Sequence, residues 1–317
     1  MENKGIEKLI FEVIDYKNSE SIGLIYDKYF YKIGSEVINF CNYNNIKINS
    51  LLTEYESGQI LTENIKSYFI NDIPEIIILG LSNNIWHTKE RKFAINEKKK
   101  RIINLLHPDN FCESYLANIN FINNIGSQIK EKLDNSELVH IISKAGTNIS
   151  AKIGKSFCES KYYNTPCCGG DFPIGEVGFW SFKNSVNGRI VYDFKVQHVG
   201  FTKNNPEIID IKNDKIYFVK NSNKFKNFIL SNKVFNFVSE ISIGINPIWV
   251  EVNNIDSIVE EKNLGTSHFG QGGSSYINRI GPHFDSVILN PTIYFDNMKI
   301  MDDGVLNQKY IKYSSNE

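Results

Sequence analysis

Ile76-Ile77-Ile78-Leu79-Gly80-Leu81 is an unbroken apolar run entered through Pro74, and a strand buried on both faces is what such a run makes. Working outward, Glu63 to Asn71 upstream is helical, and Ile46 to Leu52 reads as a strand after the Asn-rich turn Asn42 to Asn45. Tyr29 to Tyr43 reads as an amphipathic helix, Ile22 to Asp27 as a short strand, and Ile6 to Ile14 carries apolar residues at helical spacing. Downstream, Lys89 to Leu106 predicts a basic helix with Phe93, Ala94, Ile102, Ile103 and Leu106 in one stripe, and Glu113 to Leu133 predicts another. Strands joined through helices form parallel sheets. The expected fold class is therefore α/β plus α+β, with an open parallel α/β domain over residues 1-135 and a different, β-rich domain over 136-317.

That second expectation rests on a change of texture after Asn135. Short alternating segments follow one another between Gly, Asn and Pro. Leu138 to Ile142, Ile149 to Ile153, Arg189 to Phe194, Ile216 to Val219, Ile245 to Val252 and Val287 to Tyr294 read as strands, with a helix at Ser222 to Asn232. Asn187-Gly188 is a hairpin signal. No long linker separates the halves, so close packing with a cleft between them is expected.

Composition narrows the function. Lys and Arg total 35 against 36 Asp and Glu, a balance that gives no long-range attraction for nucleic acid or an anionic membrane. No apolar run reaches the roughly 18 residues of a membrane span, and the Met1 to Lys8 start mixes acids and bases, so a soluble cytoplasmic protein is expected. Cys41, Cys112, Cys158, Cys167 and Cys168 are odd in number and scattered, as suits reduced thiols.

The chemistry concentrates in the second half. His268 lies in Gly265-Thr266-Ser267-His268-Phe269-Gly270 and His283 in Gly281-Pro282-His283-Phe284-Asp285. In extended backbone His283 and Asp285 point to the same side, and with His268 they make the donor set of mononuclear iron and catalytic zinc sites. The plainer alternative has His283 capping a loop and Asp285 starting a turn. Glu176, in Asp171-Phe172-Pro173-Ile174-Gly175-Glu176-Val177-Gly178, and Glu240, in Glu240-Ile241-Ser242-Ile243-Gly244-Ile245-Asn246-Pro247, are single acids among apolar neighbours. Such acids need a positive partner, either a divalent ion or a Lys, Arg or backbone amide.

These blocks, with Glu260-Glu261-Lys262-Asn263-Leu264-Gly265-Thr266-Ser267-His268, occur in the order that resembles the aminopeptidase T family of metallo-aminopeptidases and its relative, 2,5-dihydroxypyridine 5,6-dioxygenase. Val139 to Ile153, with Ala145-Gly146-Thr147-Asn148, extends the resemblance, as do Ile22 to Asp27 and Ile76 to Arg91. The peptidase pattern implies that Glu176, Glu240, His268, His283 and Asp285 hold two divalent ions, zinc, manganese or cobalt. It also implies Tyr276 as a catalytic or ligating group beside Glu176, a peptide or small-molecule substrate, and a homodimer. The dioxygenase pattern implies one Fe(II) on His268, His283 and Asp285, with Glu176 and Glu240 as acid/base groups or as groups supporting the ligands. The segment between His268 and His283 is shorter than in the peptidases, which leaves a third reading, a binding protein on this fold without turnover. The expected function is metal-dependent amide hydrolysis, with ring-cleaving oxygenation as the alternative.

Other polar residues read more plainly. His87 after the Ile76 to Leu81 run suits a helix start, and His107, His140 and His198 suit structural or surface roles. Cys167-Cys168 before Gly169-Gly170 suits a tight turn, Lys98 to Arg101 the solvated face of a helix, and Gly270 to Ser275 a flexible lid.

Overall fold

The computed structural model describes residues 4–54, 61–71, 74–82, 85, 88–107, 113–160, 162–274, 276 and 279–313. His87, Cys112 and Ser275 lie outside them. Residues 1–117 with 161–174 form one compact unit, and 118–160 with 175–317 form a second.

The first unit is a parallel sheet with helices. Its strands in chain order are β1 (Ile22–Asp27), β2 (Ile48–Thr53), β3 (Ile76–Gly80), β4 (Arg101–Leu105) and, after an excursion into the second unit, β7 (Gly169–Phe172). They lie in the order β2-β1-β3-β4-β7, every pair parallel. β3 is central, and Ile76, Ile77, Ile78 and Leu79 are buried on both of its faces, as an all-apolar run requires. The helices of this unit are α1 (Lys4–Glu7, continued by wider turns through Lys8–Val13), α2 (Tyr31–Tyr43), α3 (Glu63–Ile70) and α4 (Lys89–Asn96).

The expected helix from Lys89 to Leu106 is two elements. α4 closes where the amides of Glu97 and Lys98 both reach the Phe93 carbonyl, and Lys99 takes a left-handed φ of 55°. The chain then enters β4, whose β-branched Ile102 and Ile103 are buried between β3 and β7. Helical spacing of those isoleucines was coincidental with a two-sided strand.

The second unit is built on antiparallel strands. They are β5 (Leu138–Ile142), β6 (Asn148–Glu159), β8 (Glu176–Ser181), β9 (Asn187–Tyr192), β10 (Lys195–Val196), β11 (Gly200–Phe201), β12 (Glu207–Lys212), β13 (Lys215–Lys220), β14 (Val238–Gly244), β15 (Thr266–Ser274), β16 (Arg279–Leu289), β17 (Thr292–Phe295), β18 (Met298–Asp302) and β19 (Val305–Leu306). The main path runs β11-β10-β16-β15-β14-β8-β6-β5-β17-β18-β19, with β9, β12 and β13 branching from β6. Helices α5 (Ile119–Asp134) and α6 (Asn223–Ser231) complete it. No helix among the described residues is long and apolar enough to cross a membrane.

The boundary differs from the expected 135/136 because α5 belongs to the later unit. Asn118 caps the helix by accepting from the Asn120 and Phe121 amides. Its buried stripe, Ile122, Ile125, Ile129 and Leu133, packs with β6 and β8, and Gly126 lies against Cys158 and Ser160. The expected strand Ile245 to Val252 is also displaced, to β14. Beyond Gly244 the Ile245 and Asn246 amides turn to the carbonyls of Gly175 and Lys262, and Pro247 has no amide for a ladder. Val287 to Tyr294 is broken at Asn290, with φ 45°, and Pro291, so two strands meet there. Asn187-Gly188 is inside β9 and makes no hairpin tip. Gly270 to Ser274 gives no lid, since Thr266–Ser274 is a buried strand.

Candidate metal centre

Four adjacent strands, β8, β14, β15 and β16, lay their side chains on one face. The register places Gly244 across from Glu176, Glu240 from both Trp180 and Gly270, Ser242 from His268, Gly270 from Asp285, and Gly272 from His283. Side chains alternate with period two, so Glu176, Glu240, His268, His283 and Asp285 all project to that face. Glycines on it leave the room they need. A Cβ on Gly270 would lie 2.5 Å from His283 Cε1 and 2.7 Å from Glu240 Cβ. At Gly244 an added Cβ would meet the carbonyl of Glu261, so this glycine admits the turn Val259–Lys262 against the sheet.

All five expected ligands come together. Glu176 Oε2 is 3.2 Å from His268 Nε2, and His283 Nε2 is 3.1 Å from Asp285 Oδ1. Glu240 stands between them, with Oε1 4.0 Å from His268 Nε2 and Oε2 3.8 Å from His283 Nε2. Donor atoms of Glu176, Glu240 and His268 fall within 4.8 Å of one another, and so do those of Glu240, His283 and Asp285. The two triads share Glu240.

Sequence reasoning missed Lys262, Glu261 and Trp180. Lys262 is 1% exposed, with Nζ 3.1 Å from both Glu176 Oε2 and Glu261 Oε1 and 3.6 Å from Glu159 Oε2. Glu261 completes a third donor group with His268 and Asp285. Trp180 Nε1 donates to Glu240 Oε2 at 3.1 Å. The signal for Glu261 and Lys262 was the acid-acid-lysine run just before His268. The turn that carries them is anchored by a fully buried ion pair, Lys195 Nζ to Glu260 Oε1 at 2.7 Å, with a further bond from Lys195 to the Val252 carbonyl.

Electrostatics follow from this crowding. Burial works against the Glu176 carboxylate, yet Lys262 and His268 hold it down at about 2. Burial pushes Glu240 up to about 7, with Asp285 and Glu176 adding to the rise against the pull of His283. Glu261 is carried to about 8, again mainly by burial, and its Oε2 is buried with no hydrogen-bond partner among the described residues. Burial disfavours both imidazolium ions, but Glu261 and Glu176 around His268, and Asp285 and Glu240 around His283, raise each to about 10.

The donor set fits a divalent cation. A carbonyl can only accept, so the 3.0 Å contact from His283 Nδ1 to the Gly273 oxygen fixes the proton on Nδ1. In the neutral ring this turns the Nε2 lone pair toward Glu240 and Asp285, the arrangement of metal-bound histidines. Among the described residues, Glu159, Glu176 and Glu261 surround the buried Lys262, while Glu240 and Asp285 stand beside the two imidazoles; with those rings neutral the carboxylates outnumber the ammonium, and a divalent ion would balance them.

Tyr276 is placed differently from the other expected residues. It is 39% exposed and stacks on Trp180, with ring centroids 6.3 Å apart and planes 20° apart. It therefore stands at the rim, one residue removed from Glu240. His140 bonds Asn148 Oδ1, and His198 pairs with Asp256 at 2.8 Å.

No protein-family model and no curated protein sequence matches the chain. Solved structures do. A 2,5-dihydroxypyridine dioxygenase from Pseudomonas putida KT2440 overlays with a TM-score of 0.79 at 14% identity, covering 96% of each chain. AmpT from Thermus thermophilus overlays with a TM-score of 0.59 at 10% identity, covering 96% of this chain and 98% of that one. The fold is the one these two enzymes share. The mixed α/β, two-domain class expected from sequence is thus observed, and the two neighbours are the aminopeptidase and the dioxygenase that the motifs resemble.

Proposed function

We propose that this chain is a metal-dependent hydrolase acting on a peptide or small amide, in which Glu176, Glu240, His268, His283 and Asp285 would hold a pair of divalent ions. The observation that carries this reading is that Glu240 offers Oε1 to the His268 side and Oε2 to the His283 side. Glu176 and His268 would hold one ion, and His283 and Asp285 the other. When bound, such ions lower the pKa of a coordinated water and polarise a carbonyl oxygen. The remaining work falls to the chain. Lys262 fixes the Glu176 carboxylate and His283 is oriented by the Gly273 carbonyl, so both are held before substrate arrives. Glu261, with its unpartnered Oε2, is the carboxyl positioned to take up and return a proton.

A second reading, a ring-cleaving dioxygenase with one Fe(II) on His268, His283 and Asp285, is favoured by the larger TM-score of the dioxygenase overlay. Metal analysis of untagged protein purified anaerobically separates the two. Two equivalents of zinc, manganese or cobalt with turnover of aminoacyl amides support the hydrolase. One ferrous iron with oxygen uptake on a dihydroxypyridine supports the second reading. Negligible metal in both wild type and His283→Ala refutes both readings and leaves a binding protein.

A further inference from the structure

Beside Glu240 the second unit carries an aromatic surface that ligand binding does not explain. Trp180 lies across from Glu240 in the ladder and donates its indole N–H to Glu240 Oε2, the oxygen nearer His283. Phe157 packs on one side of that indole, with ring centroids 4.7 Å apart. Tyr276 stands nearly parallel to the indole and remains 39% exposed. Its seat is built: a Cβ on Gly154 would lie 2.6 Å from Tyr276 Cε1 and 2.6 Å from the Trp180 carbonyl. Phe157 of β6, Trp180 of β8 and Tyr276 thus converge to set aromatic faces next to the Glu240 carboxylate.

We infer that Trp180 and Tyr276 form a specificity wall that selects substrates with an aromatic ring adjacent to the group facing the metal centre. The inference rests on the metal-centre reading but not on which reaction occurs there. Trp and Tyr present large flat surfaces with a negative face and positive edge, so they favour a ring over a saturated group of equal size. Aromatic pairs gain about 0.5–1.5 kcal/mol beyond area burial, which converts to roughly two- to tenfold in affinity. An aliphatic lining of the same shape would give no such preference.

The test compares binding of matched probes by calorimetry on the metal-loaded full chain: phenylalaninamide against cyclohexylalaninamide, and catechol against trans-1,2-cyclohexanediol. At least one ring probe should bind about two- to tenfold tighter than its saturated partner. Tyr276→Leu should weaken that preference, leaving only the Trp180 face, and Tyr276→Phe should keep it, with bound metal unchanged in both. Trp180→Phe, which keeps a ring but loses the N–H, should retain most of the preference. Equal binding within each pair, no measurable binding of either ring probe, or an unaltered preference in Tyr276→Leu with its metal retained would each overturn the wall. Turnover assays report separately: hydrolysis without ring preference sinks the wall alone, and ring preference without hydrolysis sinks the hydrolase reading alone.

Discussion

Lys262 is the residue on which the metal-free site most depends. Its ammonium is buried among Glu159, Glu176 and Glu261, and its loss would remove the cation they share, leaving Glu176 to His268. Breaking a buried charge cluster costs about 3–5 kcal/mol. Lys262→Met should therefore lower the melting temperature of chelated protein markedly, and a divalent ion should restore most of the loss. Equal melting of wild type and variant in chelator would contradict this. The histidines set the pH behaviour. His268 and His283 rise from 6.5 to about 10 in the folded, metal-free chain. A raised folded pKa gives stability that is full below pH 6.5 and is lost as pH climbs through about 10. Glu240 and Glu261, raised from 4.5 to about 7 and about 8, run in the same direction. Chelated protein should accordingly melt at falling temperature from pH 6.5 to 10, measured by calorimetry, and bound metal should flatten the slope because it replaces the protons.

At the scale of elements, the four site strands are specified by glycines as much as by ligands. Gly270→Ala would drive a methyl into His283 and Glu240. Disturbing groups that orient ligands costs on the order of 10–100-fold in metal affinity, and that loss, with far-ultraviolet circular dichroism unchanged, is the expected outcome for this variant. Affinity within about twofold of wild type would argue against this packing of the face. The five residues that converge here, Glu176, Glu240, His268, His283 and Asp285, stood out in the sequence because each sits in a short block beside glycine or proline. Their neighbours were harder to read: Trp180 meets Glu240 through the β8–β14 pairing, and Glu261 and Lys262 arrive on a turn packed at Gly244, a tertiary contact that the acid-acid-lysine run does not announce. The same blindness affected secondary structure. Ile102 and Ile103 fit a helical stripe as well as a two-sided strand, and only the neighbouring β3 and β7 decide between them.

At the scale of the whole molecule, the parallel unit was legible from the alternation of apolar runs and helices, but the path of the chain was not. Nothing in the sequence of residues 161–174 announces that Gly169–Phe172 returns to pair with β4. Likewise the stripe on α5 says that the helix is half-buried, not which sheet buries it. These points make a fragment experiment decisive. Glu159 pairs with Glu176, and the Gly175 amide bonds the Glu159 carbonyl at 3.0 Å, so the chain leaves and re-enters the second unit at neighbouring points. A chain of 118–160 joined to 175–317 by a short Gly/Ser linker should fold and bind metal. A fragment starting at 136 should not, because it lacks the helix that covers β6 and β8. Metal binding by the 136–317 fragment equal to that of the linked chain would refute this division.

The donors span Glu176 to Asp285, and the last two sit on β16. A growing polypeptide on the ribosome therefore has no complete site until residue 285 has emerged and β16 has paired with β15. On the proposed metal-centre reading, an ion would load only after β16 has paired with β15, and the concentrations available at that stage would set which metal is taken up.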